Sequence, residues 1–293
     1  MSVIRSRFFV LCFFRTIHHF ELSSTSLILN FELNANLTPF VVAIIPARHA
    51  SIRLPAKPLV DLCGKPMIRH VYERALDASL VGKVIVATDH PSIADAVRKF
   101  GGNVEMTPDD IRSGSDRTAY VARRLDDADI VVNIQGDEPL LVPHMIDEAI
   151  RPLLDDARID AGTLVKPITS SDELLNPNVV KVVLDEQGFG IYFSRSPIPY
   201  FRDAAAIDRW HLHHQYYKHI GLYVYRRKFL LEFATWPESL LERTEKLEQL
   251  RIIEHGYKIK TVVTTYDSIP VDTAADAERV RQILHHQSDV NVP

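Results

Sequence analysis

Residues 40–58 read Phe-Val-Val-Ala-Ile-Ile-Pro-Ala-Arg-His-Ala-Ser-Ile-Arg-Leu-Pro-Ala-Lys-Pro. The apolar run from Phe40 to Ile45 reads as a buried strand; it stops at Pro46 and empties into a loop that holds Arg48, Arg53 and Lys57 and no acid. At the carboxyl edge of a parallel strand, backbone N–H groups and long cationic side chains converge on a crevice suited to anions. Two guanidinium forks and one ammonium suit a triphosphate, the forks meeting paired oxygens and the ammonium acting as a point charge. A solvated basic loop has the same composition, so the rest of the chain must decide.

Downstream, Gly64-Lys65-Pro66 opens a helix with Met67, Val71 and Ala75 on one face. Val84–Ala87 is a buried strand ending at Thr88-Asp89, and Pro91 starts a helix that Gly101-Gly102 stop. This alternation predicts an α/β fold, doubly wound around a mixed, mainly parallel sheet. The basic loop lacks both the Gly-x-Gly-x-x-Gly of a dinucleotide site and the Gly-Lys-Ser/Thr of a P-loop, which disfavours a dehydrogenase or ordinary kinase.

Ser113-Gly114-Ser115-Asp116-Arg117 is a hydroxyl-rich helix start, read from the residues alone as capping. The strand Ile130–Ile134 then presents Asp137 just past its apolar end, at the same sheet edge as the basic loop, as a candidate magnesium ligand. A bare Gly-Asp turn is the plain alternative. Val179–Leu184 and Phe189–Phe193 flank the turn Asp185–Gly188 as a hairpin so apolar that it needs a cover. His211, His213, His214 and His219 lack a cysteine or nearby carboxylate to complete a zinc set and read as surface imidazoles, His219 excepted. Residues 241–253 predict one amphipathic helix with Leu247, Leu250 and Ile253 buried. Near the end, Thr273 and Asp276 form a capping pair for the closing helix, with Asp272 just ahead of it.

The 293 residues, 46% of them apolar, suffice for one large domain or two small ones. A net charge of −4 argues against a general nucleic-acid binder. Cys12 and Cys63 support neither a disulfide framework nor a thiolate zinc site, which points to a reducing, cytoplasmic setting. In residues 1–39, Arg5, Arg7 and Arg15 surround the run Phe8–Phe14, and no acid precedes Glu21. That run is far shorter than the about 20 residues a bilayer span takes. The leader's Arg-rich, acid-poor composition is compatible with an organelle presequence, but it reads foremost as an extension outside the fold, with no membrane association, and residues 287–293 read as a tail.

The pattern Pro-Ala-Arg-x-x-Ser-x-Arg-Leu-Pro-x-Lys-Pro-Leu from Pro46 resembles the signature of sugar-activating cytidylyltransferases, and the likeness extends over residues 40–286. Lys218–Arg226 and Leu241–Arg251 resemble the segments of the branch that acts on 3-deoxy-manno-octulosonate (KDO). Ser113–Arg117 departs from the family's Ser-Gly-Thr-Glu-Arg, and Ala274 stands where relatives carry proline. The resemblance implies a Rossmann-like nucleotidyltransferase fold with a hairpin and sugar region at 178–226 that serves dimerisation, and transfer of CMP from CTP to KDO with release of pyrophosphate. It implies a catalytic set of Arg48, Lys57, Asp137 and Asp272, with Mg2+ held by the two aspartates. It implies CTP contacts from Ala47, Arg48, Ser51, Arg53, Lys57, Ser113, Gly114 and Gln135. Sugar contacts are implied for Arg117, Gln135, Arg195, His219 and Tyr223, together with Glu245 and Gln249, or Glu248, according to helical phase. His219 reads equally well as a satisfied buried histidine. A sialate-type cytidylyltransferase and a catalytically inactive nucleotide-sugar binding module are the alternative readings.

Overall fold

The apolar run forms β1 (Val41–Ala47), six of whose seven residues are buried. The computed structural model describes residues 39–50, 53–111, 113–203 and 206–290, and the account below concerns these. The expected leader, apart from Pro39, and the end of the tail lie outside them. After β1 come the short pair β2 (Asp61–Leu62) and β3 (Lys65–Pro66), α1 (Met67–Leu76), β4 (Lys83–Thr88), α2 (Pro91–Lys99), β5 (Val104–Met106), α3 (Gly114–Ala122) and β6 (Ile130–Asn133). Next are α4 (Pro143–Asp155), β7 (Ala161–Pro167), α5 (Ser171–Leu175), β8 (Lys181–Leu184), β9 (Phe189–Ser194) and α6 (Trp210–His213). The chain continues through β10 (Tyr217–Arg226), α7 (Arg227–Phe233), α8 (Leu240–Glu245), α9 (Gln249–Glu254), β11 (Ile259–Val263) and α10 (Ala274–Val290).

One nine-stranded sheet has the order β5-β4-β1-β6-β10-β7-β11-β9-β8. β1 pairs in parallel with β4 and β6, whereas β10 is antiparallel to both β6 and β7, and β11 is parallel to β7. The carboxyl ends of β1, β4, β6, β7 and β11 therefore lie at one edge. Because side chains alternate along a strand, Val41, Ala43 and Ile45 share a buried cluster with Ile68, Val71, Ile93 and Ile146 from α1, α2 and α4. Val42 and Ile44, on the other face, share theirs with Ala119, Ala122, Phe229 and Phe233 from α3 and α7. The chain is thus a mixed α/β fold with helices on both faces of its sheet.

Two expectations change. The edges of the hairpin β8–β9 are paired within this chain, Tyr217 and Lys218 of β10 with β8 and β11 with β9, and on its inner face Val182 and Phe193 are buried. Its outer face still presents Ile191, which is 53% exposed. The single helix expected over 241–253 is two, because Lys246 adopts φ 54°, a left-handed conformation that ends α8. A buried pair holds the corner: Arg251 Nε donates to Glu242 Oε2 and Nη2 to Oε1, both at 2.7 Å. His211 and His213 fall on α6, His214 just after it and His219 on β10.

Candidate active site

Where β1, β4 and β6 end, a cavity of about 770 Å³ opens, lined by Ala47, Arg48, Arg53, Lys57, Ser113, Gly114, Arg117, Gln135, Asp137, Glu248 and Asp272 among others. Gly136 lets the Asp137 loop lie against β1, since an added Cβ would meet the Pro46 carbonyl oxygen at 2.9 Å. Val271 N donates to Asp137 O at 2.9 Å, which joins the loop after β11 to the loop after β6. The capping pair forms as the sequence suggests: Asp276 N donates to Thr273 Oγ1 at 3.2 Å, and Asp272 N and Thr273 N donate to Asp276 Oδ2. Asp272 is thereby fixed at the start of α10.

Both aspartates point at one cation. Lys57 Nζ donates to Asp137 Oδ2 at 2.5 Å and to Asp272 Oδ1 at 2.9 Å, and Arg53 Nη2 lies 3.1 Å from Asp272 Oδ1. Burial alone would lower the Lys57 pKa, but the two carboxylates outweigh it and raise it. Arg48 is exposed on the cavity wall, while Ser51, a further expected contact, lies outside the described residues.

The opposite wall is the start of α3. Ser113 caps it, its Oγ accepting from Asp116 N at 3.1 Å, so capping and lining the cavity coexist in one residue. Arg117 is buried, with Nη2 donating to Asp89 Oδ2 at 2.8 Å and Nη1 to Thr107 Oγ1. Asp89 also accepts from His49 N at 3.1 Å, so it ties the basic loop to Arg117. Glu248 reaches the cavity from the corner between α8 and α9; burial raises its carboxyl pKa, opposed by the Ser115 and Ser113 hydroxyls and aided by the Asp116 charge.

Five of the expected sugar contacts do not line this cavity: Arg195, His219, Tyr223, Glu245 and Gln249. Glu245 accepts from Ser194 Oγ at 2.6 Å and from Arg195 N at 3.0 Å, while Arg195 Nε donates to Glu245 O and Nη1 to Pro177 O. Both side chains are engaged in fastening β9 to α8. His219 Nε2 and Thr163 Oγ1 hydrogen-bond at 2.9 Å, and burial pushes the imidazole down to about 3. Burial thus favours the neutral imidazole, with Thr163 as its hydrogen-bond partner. Tyr223 is buried, stacked on Tyr225 at 5.8 Å between ring centroids. Gln249 is 4% exposed, and among the described residues its Nε2 has no hydrogen-bond partner. The broken helix explains the phase problem: Glu248 and Gln249 sit at a corner where no single helical phase applies.

Glu138 was not singled out from sequence, although it follows Asp137 directly. It is 9% exposed and accepts from Ser268 Oγ at 2.6 Å. Burial, opposed by that hydrogen bond and aided by the charges of Asp137 and Asp267, pushes its carboxyl up to about 7. Asp89 was likewise missed, because its two partners lie in separate segments.

The family model described as cytidylyltransferase matches residues 42–259, and the chain belongs to the cytidylyltransferase family. Over 251 residues it is 55% identical to the 3-deoxy-manno-octulosonate cytidylyltransferase of Geotalea uraniireducens, a match covering 83% of this chain and 98% of that protein. The corresponding protein of Geobacter metallireducens is 54% identical over 253 residues, covering 83% and 97%. A solved structure of a CMP:2-keto-3-deoxy-manno-octonic acid synthetase complexed with CTP matches with a TM-score of 0.79 and 43% identity, over 85% of this chain and 99% of that one.

Proposed function

We propose that this chain transfers the cytidylyl group of CTP to the anomeric hydroxyl of KDO, giving CMP-KDO and pyrophosphate for lipopolysaccharide synthesis. What carries the reading is the convergence of Asp137 and Asp272 on one point inside the cavity, 2.5 and 2.9 Å from the Lys57 ammonium, in a chain so similar to KDO cytidylyltransferases.

Two carboxylates converging on one cation suit Mg2+, which takes few protein ligands and fills its octahedron with water and phosphate oxygens. Asp137 and Asp272, brought together on the Lys57 ammonium, are the candidate pair. When bound, Mg2+ would neutralise phosphate charge and make the attacking hydroxyl more acidic. Lys57, Arg53 and Arg48 then grip the triphosphate, and the charge gathered by departing pyrophosphate falls on their donors. Ala47, Ser113, Gly114 and Gln135 shape the nucleotide end, and Glu248, whose Oε2 has no partner among the described residues, offers an acceptor to a sugar hydroxyl. No covalent enzyme intermediate enters this scheme.

The working unit in this reading is residues 40–286, a cytoplasmic homodimer that uses the 178–226 region for pairing and needs neither nucleic acid nor membrane. Among the described residues no helix is long and apolar enough to cross a bilayer. A protein starting at Thr38 should turn over like the full chain; loss of folded activity on that truncation contradicts the assignment of the leader. The reaction itself is tested by magnesium-dependent pyrophosphate release from CTP with a panel of sugar acids. Release with KDO is expected, whereas preference for sialate, or CTP binding without release, replaces the reading with one of its two alternatives.

A further inference from the structure

Asp137 and Asp272 belong to loops leaving different strands, β6 and β11, so something must set the distance between their carboxylates. One tie is the backbone bond from Val271 N to Asp137 O. The other joins the residue after Asp137 to the loop that leads to Asp272: Ser268 Oγ donates to Glu138 Oε2 at 2.6 Å. Ser268 follows Asp267, whose carboxylate lies 2.9 Å from Lys166 Nζ on β7 and 3.1 Å from Lys218 Nζ on β10. The loop after β11 is thus pinned to the sheet by Asp267 and to the Asp137 loop by Ser268. Glu138 and Ser268 are not among the residues lining the cavity. Glu138 is nevertheless kept as a buried carboxylate beside Asp137 and Asp267, where an apolar side chain of the same size would avoid the desolvation cost.

We propose that Glu138 and Ser268 form a positioning clasp, whose hydrogen bond sets the Asp272 loop against the Asp137 loop and holds the two carboxylates at the spacing a divalent cation requires. The inference rests on the assignment of Asp137 and Asp272 as the metal pair under the proposed function. A positioning role has a distinct signature. Loosening the clasp leaves both ligands in place but less preorganised, so affinity for the metal falls while turnover at saturating metal changes little.

The test uses the full chain with CTP present and KDO absent, and follows Mn2+ binding by electron paramagnetic resonance. Ser268→Ala and Glu138→Leu should each weaken Mn2+ binding about five- to tenfold, the size of one lost hydrogen bond to a carboxyl. Glu138→Gln keeps an acceptor for Ser268 and should stay within about twofold of the parent. Ser268→Ala is the deciding variant, because it removes one oxygen and no other contact of the clasp, and Mn2+ binding is read below its own thermal midpoint so that loss of fold is not counted as loss of the clasp. The half-saturating Mg2+ for pyrophosphate release should move with the Mn2+ affinity. A parent that releases pyrophosphate while Ser268→Ala binds Mn2+ as tightly as the parent overturns the clasp alone. A parent that binds Mn2+ in a clasp-dependent manner yet releases no pyrophosphate from CTP and KDO supports the clasp and overturns the functional reading.

Discussion

Lys57 holds its ammonium 2.5 Å from Oδ2 of Asp137, and the same nitrogen reaches Asp272 at 2.9 Å. The two aspartates are far apart in the chain and follow different strands, so their meeting on one atom is a product of the fold. If they share magnesium at turnover, Asp137→Asn or Asp272→Asn should lower kcat by two or more orders of magnitude, with the thermal midpoint near the parent's. Steady-state kinetics at saturating Mg2+ checks this. Near-parental turnover in either variant removes that residue from the site.

Arg48 lies exposed on the cavity wall, free to fork onto phosphate oxygens. Arg48→Lys keeps the charge and loses the fork, so kcat/KM for CTP should fall by about 1–3 kcal/mol, and Arg48→Ala should cost more. Part of the loss should appear in kcat, because pyrophosphate gathers charge as its bond to the α-phosphorus breaks. Equality of Arg48→Lys and parent in both constants would reduce Arg48 to a solvated cation.

The side chains of Arg251 and Glu242 are 5% and 7% exposed, and their bidentate pair braces the corner that carries Glu248. Arg251→Met strands a buried carboxylate and should destabilise the fold by about 3–5 kcal/mol in urea unfolding. Adding Glu242→Leu to that variant should recover much of the loss, since the stranded charge goes too. A loss under about 1 kcal/mol in the single variant would show that the pair does not brace the corner.

Burial holds His219 neutral down to about pH 3, against an ordinary value of 6.5. Unfolded chains take up that proton near pH 6.5, so between these values the unfolded state binds more protons and stability falls as the pH drops. The linked loss from pH 6.5 to about pH 5 is about 2 kcal/mol. His219→Gln should flatten this limb when unfolding is measured across the range. An unchanged acid limb in the variant would assign the loss to other groups.

Much of this was readable in the chain because it depended on local chemistry. The cations beyond Pro46 marked the end of β1, which runs through Pro46 to Ala47, and Asp137, set just past an apolar run, marked the same edge of the sheet. The Thr273–Asp276 cap was equally local. What stayed hidden depended on contacts across the sequence. The break at Lys246 is accompanied by the Glu242–Arg251 pair across the corner, and nothing in the amphipathic pattern of 241–253 records it. The tie between Arg117 and Asp89 joins residues 28 positions apart, so no local pattern announced it. The hairpin looked uncovered because the pairing of β10 with β8 joins residues from separate parts of the chain.

The central claim is that the cavity joins CTP to KDO, and identifying the products is its most direct test. Phosphorus NMR of the full chain with CTP, KDO and Mg2+ should show a CMP-KDO phosphodiester and pyrophosphate appearing in equal amounts as CTP disappears, with chelation of the metal stopping both. CTP that persists unchanged, or pyrophosphate that forms without the phosphodiester, would contradict the account.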